Sequence, residues 1–202
     1  MEMLQDSTLE EDRVRFMASM NSGIDELDQL VAELLTYARF DRDRSELEFK
    51  RQEIFPWLDD VIRQASVGRS ELKMSFAIPS QDFIYARFDP VLMARALGNV
   101  LQNAARYAHS KVNVTFANEN EYFQLLVDDD GPGIPEAERE SIFDAFKRLD
   151  SSRDRGSGGY GLGLSIAYRI SEWHDGEICV TGSPMGGARF EIRWPQEKPP
   201  DS

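Results

Sequence analysis

Between Phe16 and Ala38 the apolar residues Phe16, Met20, Ile24, Leu27, Val31, Leu34 and Ala38 recur at steps of three or four. That period predicts one long helix with a heptad-like stripe, widened by Leu30 and Leu35 and backed by Asp25, Glu26, Asp28, Gln29 and Glu33. So broad a stripe cannot bury itself, which favours a bundle or dimer partner over an ordinary core helix. The charged run Asp41-Arg42-Asp43-Arg44 ends it and sets a domain boundary, dividing residues 1–44 from 45–196.

Past that boundary the pattern is mixed. Phe55-Pro56-Trp57 opens a helix with proline in its permissive first turn. Leu72–Ile78 and Phe83–Phe88 alternate as strands on either side of a Pro-Ser-Gln-Asp turn. Asp89-Pro90 begins a long helix running to Tyr107, with Asp as its cap and Pro at its first position. Lys111–Ala117 and Tyr122–Val127 read as a strand pair joined by Asn118-Glu119-Asn120. A short helix near Glu136–Phe143 and a Ser/Gly/Arg stretch, Asp150–Gly159, come next. A helix from Leu162 to about Trp173 and strands at Glu177–Thr181 and Ala188–Trp194 complete the domain, and residues 197–202 form a frayed tail. Without strict βαβ alternation the fold class is α+β, a two-layer sandwich and not a doubly wound sheet.

Composition narrows the function. The chain has 202 residues, with 23 basic against 36 acidic side chains and a formal charge of −13. A balance that negative argues against a nucleic-acid partner, whose phosphates would need neutralising. Twelve Phe, three Trp and six Tyr supply bulk for a core. The single cysteine, Cys179, excludes an internal disulfide and a zinc cluster of several thiolates, and fits a reducing compartment. No apolar run approaches the roughly 18 residues of a membrane span, and residues 1–6 lack the features of a signal peptide.

Three segments carry candidate chemistry. On the long helix, Asn99, Asn103 and Arg106 or Tyr107 lie three or four residues apart and share a face. Asn is a poor helix former, so this face is either a chance polar surface or the site of a hard cation and its polyphosphate. The second segment, Leu125-Leu126-Val127-Asp128-Asp129-Asp130-Gly131-Pro132-Gly133-Ile134-Pro135, runs a strand into three acids and two glycines. It reads as a tight turn, or as a carboxylate fixed to accept from an exocyclic amine beside close-approaching backbone. The third, Gly158-Gly159-Tyr160-Gly161-Leu162-Gly163-Leu164, opens a helix whose N-terminal amides suit phosphate, unless it is only a flexible linker. It matches neither a P-loop nor the dinucleotide fingerprint.

In order and spacing the three resemble the N, G1 and G2 boxes of the histidine-kinase catalytic domain, within the wider family of gyrase-type and chaperone ATPases. Ile142-Phe143-Asp144-Ala145-Phe146 resembles the F box, and Gly186-Gly187-Ala188-Arg189-Phe190 the closing glycine turn. Residues 30–39 resemble the end of the second helix of a dimerisation and histidine-phosphotransfer hairpin. The text around Asp150–Arg155 is most similar to the RstB type of membrane sensor kinase, close to the osmosensing EnvZ type.

The resemblance implies a Bergerat-type sandwich, a mixed sheet with helices on one face, that binds ATP or ADP with Mg²⁺. Asn103 would hold the metal with Asn99 beside it, and Asp129 would accept from the adenine amino group. Gly131 and Gly133 would make room for the ring, Arg106 would face phosphate and Tyr107 the nucleotide. Ile134 to Tyr160 would form a mobile lid, with Phe143 and Phe146 anchoring its near end. Gly159, Tyr160, Gly161, Leu162, Gly163 and Leu164 would shape the far end. Implied partners are a response regulator, a histidine-bearing hairpin and a second protomer, on the cytoplasmic side of an inner-membrane sensor.

One expected part is missing. Neither His109 nor His174 precedes an Arg-Thr-Pro turn, so each reads as a surface or helix-ending imidazole and not as the phosphoacceptor. The expectation is a C-terminal portion of a sensor kinase that binds Mg²⁺-ATP without labelling itself. The alternatives are a non-catalytic nucleotide-binding or docking module, and another ATPase or serine-directed kinase of the same superfold.

Overall fold

A computed structural model describes residues 13, 16–17, 20, 23–24, 31, 34–35, 47–68, 72–77, 84–148 and 161–196. Of the N-terminal stripe, Phe16, Met20, Ile24, Val31 and Leu34 are among them, all helical and all exposed. The boundary at 41–44, the Pro-Ser-Gln-Asp turn, the stretch 150–159 with Tyr160, and the tail 197–202 lie outside the described residues.

The ordered domain begins with β1 (Lys50–Glu53) and α1 (Ile54–Ser66), followed by β2 (Lys73–Ala77) and β3 (Tyr85–Phe88). Next come α2 (Pro90–Tyr107), β4 (Lys111–Glu119) and β5 (Tyr122–Asp129). After two single-turn 3₁₀ segments, Glu136–Glu138 and Ser141–Phe143, the chain forms α3 (Gly163–Trp173), β6 (Glu177–Gly182) and β7 (Ala188–Pro195). Five strands make one sheet in the order β2-β4-β5-β7-β6, parallel only between β2 and β4.

Strand alternation decides which side the helices cover. Val112, Val114 and Phe116 on β4, Leu125 and Val127 on β5, and Phe190, Ile192 and Trp194 on β7 are all buried. Met93, Leu97, Val100, Leu101 and Ala104 of α2, with Ile166 and Ile170 of α3, pack against them in one cluster. The opposite sheet face carries the polar alternates, including Ser75, Asn113, Gln124, Glu191 and Arg193. This is a half-buried sheet, polar on one side, as the α+β reading requires.

Two expectations need correction, and one element was missed. That element is β1: β3 stands outside the main sheet and pairs antiparallel with it. β1 is only four residues, all polar (Lys50, Arg51, Gln52, Glu53), so no apolar alternation marks it. The β4–β5 turn is Asn120-Glu121, not 118–120; both residues have positive φ, 50° and 69°, as a two-residue type I′ hairpin turn demands. The single helix expected near 136–143 is two 3₁₀ turns, because the amphipathic run is too short to sustain an α-helix.

Candidate functional site

The end of β5 gives three consecutive acids three different environments. Asp128 accepts a forked pair from Arg189, at 2.9 Å from Nε and 2.8 Å from Nη2. Asp130 clasps the turn between α2 and β4. Its Oδ1 accepts from the N–H groups of His109, Ser110 and Lys111, and its Oδ2 from the Ser110 hydroxyl at 2.7 Å. Those bonds hold its carboxyl well below the usual carboxylate range.

Asp129, between them, is 2% exposed. Its Oδ1 accepts from Gly131 N–H at 2.9 Å and Ala188 N–H at 3.1 Å. Burial pushes its pKa up, the two amides pull it partly back, and its charged neighbours add a further push upward. Among the described residues Oδ2 makes no hydrogen bond, so one carboxylate oxygen is fixed and the other is left for a donor. That suits recognition of an amine.

The glycines around Asp129 exist for backbone approach. A Cβ on Gly187 would collide with Asp129 Oδ1 and come within 2.5 Å of its carbonyl oxygen, which accepts from Gly187 N–H. A Cβ on Gly131 would collide with the Tyr107 carbonyl oxygen at the end of α2. The space at Gly131 is therefore used by the protein's own backbone, and not only by a ring as the resemblance implied. Gly133 stacks in the same way on the Gly187 carbonyl, at 3.3 Å from its would-be Cβ.

The facing wall is α2. Asp89 starts this helix as expected, its Oδ1 accepting from Val91 and Leu92 N–H at 3.0 Å each. Asn99 and Asn103 lie one turn apart, both half-buried, while Arg106 is exposed and Tyr107 half-buried on the last turn. Asn99 Nδ2 is buried and has no hydrogen-bond partner. Buried amide donors are rarely left so, and a ligand acceptor is the simplest way to satisfy one. Beside it, a Cβ on Gly163 would sit 3.5 Å from Asn99 Cγ, so the N-terminus of α3 closes on this helix face.

The two ends of the implied lid meet. Phe146 N–H donates to the Gly161 carbonyl at 2.9 Å, and Gly161, at φ 77°, packs under the Phe146–Lys147 backbone where a Cβ would come within 2.9 Å. Phe143 packs against the core, but the Phe146 side chain is exposed, with its backbone at φ 67°. Phe146 thus anchors through its amide, not its ring. Ile134 and Leu164 pack on the core, and Leu162 is fully buried, so only its backbone can reach a ligand. Gly159 and Tyr160 are outside the described residues.

The imidazoles differ sharply. His109 is exposed at the α2–β4 turn. His174, 2% exposed, donates from Nδ1 to the Ile170 carbonyl at 2.8 Å and accepts at Nε2 from Asp89 N–H at 3.1 Å. It ends a helix, as expected, but is no surface residue. Among the described residues no group of three His, Cys, Asp or Glu side chains could cage a metal. Any cation here would meet neutral amide oxygens and take most of its charge balance from a ligand's phosphates. A cleft of about 860 Å³ between α3, β6 and the 3₁₀ turns, lined by Phe143, Tyr168 and Cys179, shares only Phe143 with the nucleotide-site residues singled out in the sequence.

A sequence profile for histidine kinase-, DNA gyrase B- and HSP90-like ATPases matches residues 88–198. The chain belongs to that family. It is 40% identical over 179 residues to the sensor protein RstB of Escherichia coli K12, covering 88% of this chain and 41% of RstB. It is 34% identical over 175 residues to the sensor histidine kinase CpxA of the same strain, covering 85% of this chain and 38% of CpxA. The chain thus spans about two-fifths of the length of these relatives. In structure it resembles full-length ShkA in complex with AMPPNP, at TM-score 0.75 and 27% identity over 88% of this chain and 37% of ShkA. It also shares the fold of the mycobacterial sensor histidine kinase MprB, at TM-score 0.64 and 24% identity over 75% of this chain and all of that one.

Of the residues singled out in the sequence, Asp129 holds the Gly131 amide, Gly131 packs on the Tyr107 carbonyl at the end of α2, Gly163 packs beside Asn99, one turn from Asn103, and Gly161 packs under Phe146–Lys147. The sequence reading missed the support of that site. Gly187 and the Ala188 amide fix Asp129, but they lie almost sixty residues away and no periodicity signals them.

Proposed function

We propose that this chain is the ATP-binding catalytic part of a sensor histidine kinase, passing the γ-phosphoryl of ATP to a histidine on a separate hairpin. The buried Asp129 carboxylate, with one oxygen held by two backbone amides and the other unengaged, carries the reading. Asp129 accepts from the adenine amino group, Asn99 and Asn103 face the phosphates and Mg²⁺, and Gly161 and Gly163 border the phosphate end. Arg106 and Tyr107 line the outer rim.

A carboxamide oxygen is a hard donor, so Asn103, assisted by Asn99, suits Mg²⁺ whose other ligands are phosphate and water. Magnesium supplies charge neutralisation as the phosphoryl group moves. The residues of this chain position the nucleotide and exclude water. In the transfer a bond forms between an acceptor imidazole nitrogen and the γ-phosphorus, the bond to the bridging oxygen breaks with its electrons going to ADP, and the imidazole proton passes to a neighbouring base.

His174 is unsuited to that role, since both ring nitrogens are engaged in a buried site. The acceptor belongs to a hairpin in the same or a second protomer, and a response-regulator aspartate is the onward partner. The described residues include no helix long and apolar enough to cross a membrane; the proposed setting is the cytoplasmic kinase portion of an inner-membrane sensor.

Calorimetry with ATP and magnesium, then incubation with γ-labelled ATP, tests this reading. Binding heat, no label on the isolated chain, and acid-labile label on an added histidine hairpin are expected. No binding heat overturns the nucleotide site; acid-stable label overturns the histidine-directed chemistry.

A further inference from the structure

The helices α2 and α3 lie side by side in opposite directions, with a close backbone approach at one end of the pair and a hydrogen bond at the other. At one end Asn99 meets Gly163. At the other, His174, the residue ending α3, takes the N–H of Asp89, the residue capping α2. Asp89 and Asn99 are ten residues apart and Gly163 and His174 eleven, about 15–17 Å of helix on each side. The pair is a frame of two matched lengths, closed at the nucleotide end and pinned at the far end.

The far end holds more than the two helices. Asp89, 6% exposed, uses Oδ1 to cap α2 and Oδ2 to accept from Glu48 N–H at 3.1 Å. The Phe49 ring lies 5.2 Å from the His174 ring. Trp57 of α1 donates from its indole to the Pro90 carbonyl at 3.1 Å. The segment 47–50, which leads into the domain from the N-terminal helical stripe, is therefore tied to the same buried node that joins α2 to α3.

We infer that His174 is a positioning residue: with Asp89 it locks the lead-in segment 47–50 to the base of the α2–α3 frame, and so sets the spacing of Asn99 and Gly163 at the nucleotide end. The lever is long enough to matter. A rotation of about 5° at the node moves the far end of either helix by about 1 Å, and a misplacement of that size at a reacting site is costly. The neutral Nδ1–H form of His174 is the one that fits, because Nε2 must accept from Asp89 while Nδ1 donates to Ile170. The nucleotide part of this inference rests on the ATP-binding reading; the positional part does not.

The test uses the full chain in four forms: wild type, His174→Phe, His174→Gln and Glu48→Pro. Phe keeps ring volume against Phe49 but cannot accept from Asp89. Gln places an amide oxygen near the Nε2 position, and Pro removes the Glu48 N–H together with the side chain that pairs with Lys50. Ile192→Val, a core change on the sheet, serves as a control for lost stability. Without nucleotide, NMR is expected to shift the Gly163 amide and the Asn99 side-chain amide in His174→Phe and Glu48→Pro, with both returned by His174→Gln and unmoved by Ile192→Val. With nucleotide, affinity is expected to fall about fivefold in His174→Phe, the low end of coupling between distant sites. Unmoved Gly163 and Asn99 signals in both Phe and Pro variants overturn the proposal. If His174→Phe does not fold, Glu48→Pro decides alone. Shifted signals in a protein whose wild type binds no nucleotide leave the positioning role standing and remove the ATP reading.

Discussion

The two walls of the candidate pocket are prepared to different degrees. On the β5 wall, Asp129 is locked by Gly131 and Ala188 and backed by Gly187 before any ligand arrives. On the α2 wall, Asn99 buries an amide donor with nothing to receive it. The first wall has already met the cost of orienting its recognition group; the second keeps an unsatisfied group that only binding can relieve. The difference fits a division of labour in which the strand end selects the base and the helix face responds to the phosphates. It also makes the two walls separable, because damage to each should have opposite consequences for the free protein.

The largest effect is expected at Asp129. Asp129→Asn keeps an oxygen for the Gly131 and Ala188 amides but replaces the unengaged oxygen by a donor. Affinity for adenine nucleotides should fall on the order of a hundredfold, the scale of a charged hydrogen bond turned into a repulsive contact, with little change in melting temperature. Asp129→Ala should lower folding stability by about 2–4 kcal/mol as well, because two buried N–H groups lose their acceptor. Calorimetry and denaturant unfolding on the same preparations check both. Equal nucleotide affinity in Asp129→Asn would detach the β5 wall from base recognition.

Much of this arrangement could be read from the chain, and the limits have physical causes. The Asp89-Pro90 start of α2 and its end at Tyr107 followed from local rules: a capping carboxylate, a proline at N1 and a long apolar period. So did the placing of Asn99 and Asn103 on one face. The job of each acid in Asp128-Asp129-Asp130 was not legible, because their partners, Arg189, Ala188 and Ser110, come from other strands and turns. The burial of His174 was equally hidden. Its helix-ending position is local information, but its bond to Asp89 spans 85 residues of sequence. Hydrophobic period finds elements; only tertiary pairing gives a polar residue its partner.

A middle-sized effect of opposite sign sharpens the contrast between the walls. Asn99→Ala removes a buried, unsatisfied donor, so stability of the ligand-free chain should hold or rise, within about 1 kcal/mol. Nucleotide affinity should nevertheless fall, by about tenfold, as one neutral hydrogen bond is lost. A drop of several kcal/mol in the free protein would mean that Asn99 already has its partner and that the two walls are alike.

The smallest effect is electrostatic and separates Asp129 from Asp130. The folded-state pKa of Asp130 lies below the ordinary aspartate value of 3.8, so the folded chain binds fewer protons than the unfolded one below that value. Its stabilising clasp is complete above about pH 4 and is lost as pH falls toward the folded pKa. Asp129 is raised instead, so the folded chain holds the extra proton above 3.8, and its contribution worsens as pH climbs through that window. Acidification from neutrality should therefore first relieve Asp129 and then undo Asp130. Asp130→Asn retains an oxygen for the His109, Ser110 and Lys111 amides but cannot titrate. Its stability deficit relative to wild type, measured by denaturant midpoints, should be widest near neutrality and shrink below about pH 4. Asp129→Asn should show the inverse trend, losing any advantage as the wild-type carboxyl is protonated. A deficit in Asp130→Asn that does not vary with pH would assign the clasp to geometry alone, and would leave the three neighbouring acids distinguished by their partners but not by their charge.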